Sequence, residues 1–360
     1  MKLAIFGGGQ LGRMLALAAL PLDVRCQFLD PVEAPCAAAA GRHIRGDYED
    51  PAALEAFAQG ADSATYEFEN VPVAAVEHVA RLIPAAPGAV SLACAQDRGH
   101  EKQLFEDLDI AVAPWAEVND AGSLRQAAAT VGLPAVLKTR RFGYDGKGQV
   151  VIRGADELDA AWDAVGAQPC VLEAFVPFQR EVSMIGVRSR EGEIRCYTLT
   201  ENVHRDGILR RSTPVEGDAL QPAAEAALSK VMRALDHVGV MAFEFFVAEG
   251  RLLANEIAPR VHNSGHWTID GAVCSQFENH VRAVLDLPLG ETALRQPCVM
   301  LNAIGSMPAT AELAAIPGVR IHAYGKSARP GRKVGHVTVL GCSTSELRRR
   351  LAMLDALIDA

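Results

Sequence analysis

The stretch from Val240 to Arg260 constrains the fold of this chain more than any other part of the sequence. Two apolar segments rich in Phe, Val and Leu flank Ala248-Glu249-Gly250-Arg251, a pattern that predicts a β-hairpin with a short turn. Glu244 and Glu256 lie six residues before and after Gly250. A hairpin register centred on Gly250 therefore places the two glutamates opposite each other on adjacent strands.

Both carboxylates then project from one face of the hairpin. Side chains alternate along a strand, so the centred register makes the rest of this face apolar, with Ala242, Phe246, Leu252 and Ala254. Two like charges about 4 Å apart repel by about 4 kcal/mol at an effective dielectric constant of about 20. A bound divalent cation would offset this repulsion, and Mg²⁺ favours such oxygen ligands. The alternative is a hairpin whose glutamates face water.

Residues 1 to about 90 alternate short apolar strands with helical stretches. The strands are KLAIF, VRCQFLD and SATYEF, and the helical stretches are Leu11 to Leu20, Pro51 to Gln59 and Pro72 to Leu82. This alternation predicts a parallel sheet with helices on its faces. A further helical stretch, Ser91 to about Leu108, leads out of this unit.

A glycine-rich turn, Gly7 to Gly12, follows the first strand, and Asp30 ends the second. The glycine-rich turn together with Asp30 fits the G-x-G-x-x-G fingerprint of dinucleotide-binding proteins, so an NAD-dependent dehydrogenase is one alternative function. A tight turn between strand and helix is the structural alternative. The third strand ends in Glu67-Phe68-Glu69-Asn70, which places polar groups at the carboxyl edge of the sheet, where ligands of such sheets bind.

The central region carries a second phosphate-binding pattern. The strand from Leu133 to Lys138 ends in a lysine, and three glycines lie between Gly143 and Gly148. Such a loop exposes backbone N–H groups and is suited to closing over phosphates, although a glycine-rich hairpin tip has the same composition. Beyond the acidic hairpin, the run from Pro259 to Trp267 is dense in polar groups, and the basic turn from Tyr324 to Lys333 suits a phosphate or an exposed loop.

Composition limits the class of protein. A chain of 360 residues predicts two or three domains, and no apolar run approaches the roughly 20 residues that span a bilayer. Eight cysteines without a C-x-x-C pair indicate reduced thiols and a cytoplasmic protein. The net charge of −9 disfavours nucleic-acid binding.

Taken together, these motifs resemble the ATP-grasp superfamily. Lys138, the glycine loop, Glu173 to Val176, Glu181, His204 and the Glu244/Glu256 pair occur in the order of that superfamily. The stretches GGGQLGRM, EFEN, GYDGKGQ, PRVHNSGHWT and RPGRKVGH narrow the similarity to the N5-carboxyaminoimidazole ribonucleotide synthetases. The resemblance implies an α/β and α+β fold with a Rossmann-like domain over residues 1–100, an ATP-grasp domain over 101–290 with a lid at about 115–175, and a small β-rich domain over 291–360.

The resemblance also implies an activity, namely the ATP- and bicarbonate-dependent carboxylation of aminoimidazole ribonucleotide through carboxyphosphate. Mg²⁺ would be held by Glu244 and Glu256. The residues implied for ATP are Arg98, Lys138, Gly143, Tyr144, Asp145, Gly146, Lys147, Gly148, Gln149, Glu173, Ala174, Phe175, Val176, Glu181, His204, Asn255 and Glu256. Catalytic candidates are Arg260, His262, Asp145 and Lys326. Candidates for the acceptor are Gln10, Tyr144, Asp145, Lys326, Arg332 and Lys333.

Four other functions are weighed against this one. Biotin carboxylase and the formate-dependent glycinamide ribonucleotide transformylase would use the same ATP machinery, but the GYDGKGQ and RPGRKVGH stretches argue against both. The NAD-dependent dehydrogenase leaves the acidic hairpin unexplained. A non-catalytic binding module would show no turnover of ATP. The resemblance further implies a homodimer with small-molecule substrates. The net charge and the lack of a long apolar run predict no nucleic-acid partner and no membrane.

Overall fold

The computed structural model describes residues 1–141, 143, 148–355 and 357–358. The strands are β1 (Lys2–Phe6), β2 (Arg25–Asp30), β3 (Arg42–Arg45), β4 (Ser63–Tyr66), β5 (Trp115–Val118), β6 (Ala135–Thr139), β7 (Gln149–Ile152), β8 (Cys170–Ala174), β9 (Arg180–Arg188), β10 (Ile194–Cys196), β11 (Thr200–Arg205), β12 (Ile208–Pro214), β13 (Gly239–Ala248), β14 (Arg251–Ala258), β15 (Cys298–Ile304), β16 (Val319–Ala323) and β17 (Lys333–Leu340).

The helices are α1 (Gln10–Ala19), α2 (Pro51–Ala58), α3 (Val73–Ala80), α4 (Ala89–Ala95), α5 (Arg98–Asp107), α6 (Ala121–Val131), α7 (Leu158–Ala164), α8 (Gln221–Ala234), α9 (Thr268–Gly271), α10 (Gln276–Val284), α11 (Thr310–Ala314) and α12 (Thr344–Asp355). Short 3₁₀ helices occupy Leu20–Leu22, Cys36–Ala39, Ala155–Glu157 and Asn263–Gly265. Within the described ranges, no helix combines the length and apolar character needed to cross a membrane.

The N-terminal region is a parallel sheet in the order β3-β2-β1-β4. The three strands and three helices predicted for residues 1 to about 90 are confirmed to within a few residues. The prediction missed β3, because its sequence, Arg-His-Ile-Arg, has a single apolar residue and lies at the sheet edge.

The single helix predicted from Ser91 to Leu108 is wrong, since two helices, α4 and α5, occupy this stretch. Asp97 separates them in an extended conformation, and its carboxylate accepts the Gly99 N–H at 3.0 Å. An aspartate in this position is a strong N-cap, so it starts a new helix in the middle of an otherwise helical pattern.

The lid region forms an antiparallel sheet of its own, in the order β5-β8-β6-β7. A separate hydrophobic cluster, which includes Leu124, Leu137, Ile152 and Leu172, packs α6 and α7 against it. Lys138 therefore lies in the centre of this sheet, on a strand paired on both sides.

A nine-stranded sheet connects the remaining strands in the order β14-β13-β9-β11-β12-β15-β17-β16, with β10 paired to β9. The pairing of Arg211 with Leu301 joins β12 to β15, so hydrogen bonding continues across residue 290. The C-terminal strands nevertheless pack a cluster of their own with α11 and α12, which includes Leu301, Leu313 and Leu347. The boundaries predicted for the three domains stay predictions, because strand pairing continues across residue 290.

The acidic hairpin consists of β13 and β14, and Glu244 lies directly opposite Glu256, as predicted. The reason differs from the predicted one. Close to the turn, Phe245 pairs with Ala254, a register one residue away from the centred one. A β-bulge at Asn255 inserts one residue into β14 and brings Glu256 opposite Glu244.

Because of the bulge, the face that carries the glutamates has other residues beside them than those predicted. Leu252 and Ala254 were predicted beside the glutamates, and that prediction is wrong. Both pack on the opposite face of the sheet, in the cluster that contains Phe243 and Phe245. On the glutamate side, Phe246 pairs with Leu253 instead.

Candidate active site

A cleft of about 440 Å³ lies where the nine-stranded sheet, the lid sheet and the N-terminal region meet. Its volume is in the range of small-molecule sites. The cleft is lined by most of the predicted site residues, namely Gln10, Arg98, Lys138, Gly143, Gln149, Glu173, Ala174, Phe175, Val176, Glu181, His204, Glu244, Asn255, Glu256, Arg260, His262 and Lys333. Gly148, Lys326 and Arg332 are not among the lining residues. Tyr144, Asp145, Gly146 and Lys147 lie outside the described residues.

The opposed carboxylates of the hairpin have different partners. Glu256 forms an ion pair with Arg98 at 2.8 Å, whereas Glu244 lies 3.3 Å from Nε2 of His262. Burial, followed by repulsion from Glu256, raises the pKa of Glu244 to about 7. Glu244 therefore lacks a positive charge close enough to offset its burial and its repulsion from Glu256.

These two residues fit a divalent cation, because a cation between them would supply the charge that Glu244 lacks. Within the part of the chain that the structure describes, no group of three or more His, Cys, Asp or Glu side chains is arranged around a metal site. The protein would therefore provide two carboxylates and leave the other coordination positions to water and phosphate oxygens.

A buried cluster of cations lies beside the hairpin. Glu173 Oε2 contacts the ammonium groups of Lys102 and Lys138, each at 3.1 Å. Burial alone would raise the pKa of Glu173, but Lys138, Lys102 and Arg98 outweigh it and lower that pKa to about 2. Burial lowers the pKa of Lys138, partly against the effect of Glu173. Two ammonium groups that share one carboxylate are suited to binding a phosphate as well.

Helix α5 supports the bulge of β14 with three residues on one face. Arg98 binds Glu256, and Glu101 accepts the Ile257 N–H at 2.6 Å. Lys102 donates to the carbonyl oxygens of Ala254 at 3.3 Å and Asn255 at 3.1 Å. These backbone groups flank the bulge, where the ladder is interrupted.

Arg98 was predicted from the sequence, whereas Glu101 and Lys102 were not. The available signal was their spacing, because residues at i, i+3 and i+4 share one face of a helix. Lys102 is fully buried, which a lysine tolerates only when it is paired. Burial, followed by the charge of Glu256, raises the pKa of Glu101 to about 8.

On β9 and β11, Glu181 and His204 come together as an ion pair, with Oε2 2.8 Å from Nδ1. Burial would lower the pKa of His204, but the hydrogen bond and charge of Glu181 outweigh it and raise that pKa. Both side chains line the same end of the cleft as Phe246 and Phe178, whose rings stack 4.8 Å apart. This end offers apolar rings beside a polar pair, as a nucleoside requires.

Arg260 and His262 follow the hairpin directly and face the cleft. Arg260 is bound by the carboxylate of Glu69. Burial would raise the pKa of Glu69, but Arg260 lowers it to about 2. Burial and then the charge of Arg260 lower the pKa of His262 to about 3, so this imidazole is neutral near pH 7.

The predicted acceptor residues occupy the side of the cleft next to the N-terminal sheet. Lys326 donates to Oε1 of Gln10, so two predicted residues 316 positions apart are in contact. Lys333, at the start of β17, lines the cleft. Arg332 instead binds Ser327 Oγ at 2.9 Å within the basic turn.

The glycine-rich turn binds carboxylates of its own chain. Glu67 accepts the N–H groups of Gly9 and of Gly12, the latter at 2.6 Å, and Asp30 accepts the Gly8 N–H at 2.7 Å. A dinucleotide fingerprint requires such N–H groups for the pyrophosphate. Because Glu67 and Asp30 occupy them, the dehydrogenase alternative loses its phosphate site.

Family models match three segments of the chain. Residues 1–96 match the ribonucleotide synthetase preATP-grasp domain, residues 103–277 match the ATP-grasp domain, and residues 298–350 match the phosphoribosylaminoimidazole carboxylase C-terminal domain.

Relatives and solved structures are similar over the whole length. An N5-carboxyaminoimidazole ribonucleotide synthase of Pseudomonas aeruginosa is 51% identical over 360 residues, which cover 100% of both chains. The crystal structure of N5-carboxyaminoimidazole ribonucleotide synthetase from Thermus thermophilus has a TM-score of 0.96 at 49% identity, covering 100% of this chain and 99% of that one. The Aspergillus clavatus enzyme in complex with ADP and 5-aminoimidazole ribonucleotide has a TM-score of 0.90 at 32% identity, covering 99% and 98%.

Proposed function

Because the chain belongs to the N5-carboxyaminoimidazole ribonucleotide synthase family of ATP-grasp enzymes, we propose that its cleft carboxylates the amine of 5-aminoimidazole ribonucleotide with bicarbonate, through carboxyphosphate. The chain is an ATP-dependent ligase that converts this ribonucleotide to N5-carboxyaminoimidazole ribonucleotide in purine biosynthesis. Beyond this conversion, we propose which molecule donates the carboxyl group, which intermediate forms and which residues bind each substrate.

The route has two steps. An oxygen of bicarbonate attacks the γ-phosphorus of ATP, and ADP leaves. The amine nitrogen then attacks the carboxyl carbon of carboxyphosphate, phosphate leaves, and the proton that the amine loses passes to the leaving phosphate. The first step is needed because bicarbonate is a poor electrophile, whereas carboxyphosphate carries a good leaving group.

One observation carries this proposal, namely that phosphate-binding cations, the opposed carboxylates and the Arg260–His262 pair face a single cleft. Arg98 and Lys138 would hold phosphate oxygens, and Glu181 with His204 would bind the ribose side of ATP. Arg260, whose orientation Glu69 fixes, would bind the carboxyl oxygens of bicarbonate and carboxyphosphate. Positioned charges of this kind account for most of the catalysis of phosphoryl transfer.

Glu244 and Glu256 would hold Mg²⁺, with Asn255 beside them. When bound, the ion would neutralise charge on the transferring phosphoryl oxygens. Arg98, which binds Glu256 at 2.8 Å, would lie beside the same phosphate oxygens.

The acceptor would bind between Gln10, Lys326 and Lys333. Tyr144 and Asp145 remain predictions from the sequence, since they lie outside the described residues. The homodimer remains a prediction from the resemblance, and the cytoplasmic location remains a prediction from the cysteine pattern.

Release of ADP tests the proposed reaction. We expect ADP formation to require ATP, Mg²⁺, bicarbonate and aminoimidazole ribonucleotide together, and the carboxylated product to form in step with ADP. Control reactions replace the acceptor with biotin, or replace both carbon donor and acceptor with formate and glycinamide ribonucleotide. Faster turnover in either control would favour the corresponding ATP-grasp alternative, and no turnover under any combination would favour a binding module.

Lys333→Ala tests the acceptor site. A phosphate contact that does not change during the reaction affects ground and transition states alike, so its loss should raise the KM for aminoimidazole ribonucleotide and leave kcat nearly constant. One charge-assisted contact is worth about 1.5 to 3 kcal/mol, or roughly a 10- to 150-fold rise in KM. Arg329→Ala, an exposed change in the same turn, is the control. A larger effect on the KM for ATP would assign this lysine to the nucleotide.

A further inference from the structure

The side chain of His262 caps the short 3₁₀ helix that follows it. Its Nδ1 receives the backbone N–H of Ser264 at 3.3 Å and lies 2.9 Å from Ser264 Oγ. A backbone N–H can only donate a hydrogen bond, so this contact favours a lone pair and not a proton on Nδ1. In a neutral imidazole, the proton then resides on Nε2.

A series of buried, hydrogen-bonded side chains leads from the nine-stranded sheet to His262, and each member donates its hydrogen toward the histidine. The Ser212 hydroxyl donates to Asn202 Oδ1 at 2.8 Å, and Asn202 Nδ2 donates to Ser183 Oγ at 2.9 Å. Ser183 then donates to Ser264 Oγ at 2.7 Å, which leaves the Ser264 hydroxyl hydrogen for Nδ1 of His262. The four polar residues are at most 5% exposed.

This series of hydrogen bonds starts in the nine-stranded sheet and ends in the cleft. Ser212, Asn202 and Ser183 lie on β12, β11 and β9, three strands that are neighbours in that sheet. Backbone hydrogen bonds therefore hold their relative positions, and the amide of Asn202 links the two serines in one direction. A fixed array of this kind specifies both the ring orientation and the tautomer of the histidine.

We propose that Ser264, Ser183 and Asn202 are positioning residues that hold His262 as the neutral Nε2–H tautomer, a hydrogen-bond donor and not a base. The Nε2 hydrogen faces Glu244, whose Oε1 is 3.3 Å away, and the adjoining cleft. This inference rests on the proposed function for its meaning, because the oxygens of bicarbonate and carboxyphosphate would be the acceptors. The proton that the amine loses must then go to another group.

Nitrogen NMR of the full-length protein, labelled with ¹⁵N in histidine, reads the tautomer directly. We expect a pyridine-type Nδ1 and a pyrrole-type Nε2 for His262, assigned by the signals that disappear in His262→Gln. A proton on Nδ1, or two averaged nitrogens, would overturn the inference. The measurement needs no turnover, so its outcome is separate from failure of the proposed reaction.

Ser183→Ala tests the positioning role without touching the histidine. It removes the donor that orients the Ser264 hydroxyl and leaves Nδ1 with only the longer backbone contact of 3.3 Å as a fixed donor, so we expect mixed tautomers at His262 and about a tenfold fall in kcat, with the KM for ATP unchanged. Ser91→Ala is the matched control, because Ser91 makes a similar buried contact of 2.8 Å with Nδ1 of His237 away from the cleft. Equal losses of thermal stability in both variants, with wild-type kcat and an unchanged tautomer in Ser183→Ala, would overturn the role.

Discussion

Replacing Glu256 by glutamine should lower kcat about 100- to 1,000-fold, the range seen when one preorganised electrostatic group is removed from an active site. Within the described residues, Glu256 and Glu244 are the only two carboxylates that lie directly opposite each other on the acidic hairpin. Glutamine keeps the size of the side chain but removes its charge, so the site would hold Mg²⁺ with Glu244 alone. The Mg²⁺ concentration needed for half-maximal activity should rise in the same variant.

Steady-state kinetics over a range of Mg²⁺ concentrations, with circular dichroism as a check of folding, measures this effect. Glu249→Gln is the matched control, because Glu249 is exposed in the turn of the same hairpin. The metal assignment would be wrong if Glu256→Gln kept normal activity at ordinary Mg²⁺.

Lys102→Met should cost about 3 to 5 kcal/mol of stability, as expected when one partner of a buried ion pair is removed. The substitution removes one of the two ammonium groups that contact Glu173 and leaves the contact with Lys138 at 3.1 Å. It also leaves the carbonyl oxygens of Ala254 and Asn255 without the donor that flanks the bulge. Because the bulge aims Asn255 and Glu256 into the cleft, binding of ATP should weaken as well.

Denaturant unfolding followed by fluorescence measures the loss of stability, and calorimetry with a non-hydrolysable ATP analogue measures binding. Lys230→Met is the control, since the Lys230 ammonium donates to the Leu108 carbonyl at 2.7 Å in an exposed position. A surface change of that kind should remain within about 0.5 kcal/mol. Equal effects of the two substitutions would refute the support that α5 gives to the bulge.

The acidic hairpin shows how far sequence reasoning extends. Alternating apolar residues and a turn glycine were sufficient to predict both strands, whereas the pairing of Glu244 with Glu256 was predicted from a centred register that the hairpin lacks near its turn. They were insufficient to predict the bulge, because a bulge depends on the groups that satisfy its unpaired backbone. Those groups are on α5, more than 140 residues earlier in the chain.

The same limit explains what was missed elsewhere. The spacing of Gly7 to Gly12 indicated an anion site at the start of α1, and such a site exists, but its anion is Glu67. Nothing in the local pattern shows that a carboxylate 55 residues beyond Gly12 would fill it. Residues that act within one element were predicted, whereas residues that act through contacts between elements required the structure.

The continuous pairing of the nine-stranded sheet has a mechanical consequence. Glu244 on β13 and Lys333 on β17 belong to one hydrogen-bonded ladder and line one cleft. The proposed metal side and the proposed acceptor side are therefore parts of a single hydrogen-bonded sheet, so we expect their separation to be fixed by the strand pairs between them. We expect any opening that admits substrates to be a displacement of the lid sheet or of the N-terminal sheet, while the distance between the two substrate positions stays constant through the catalytic cycle.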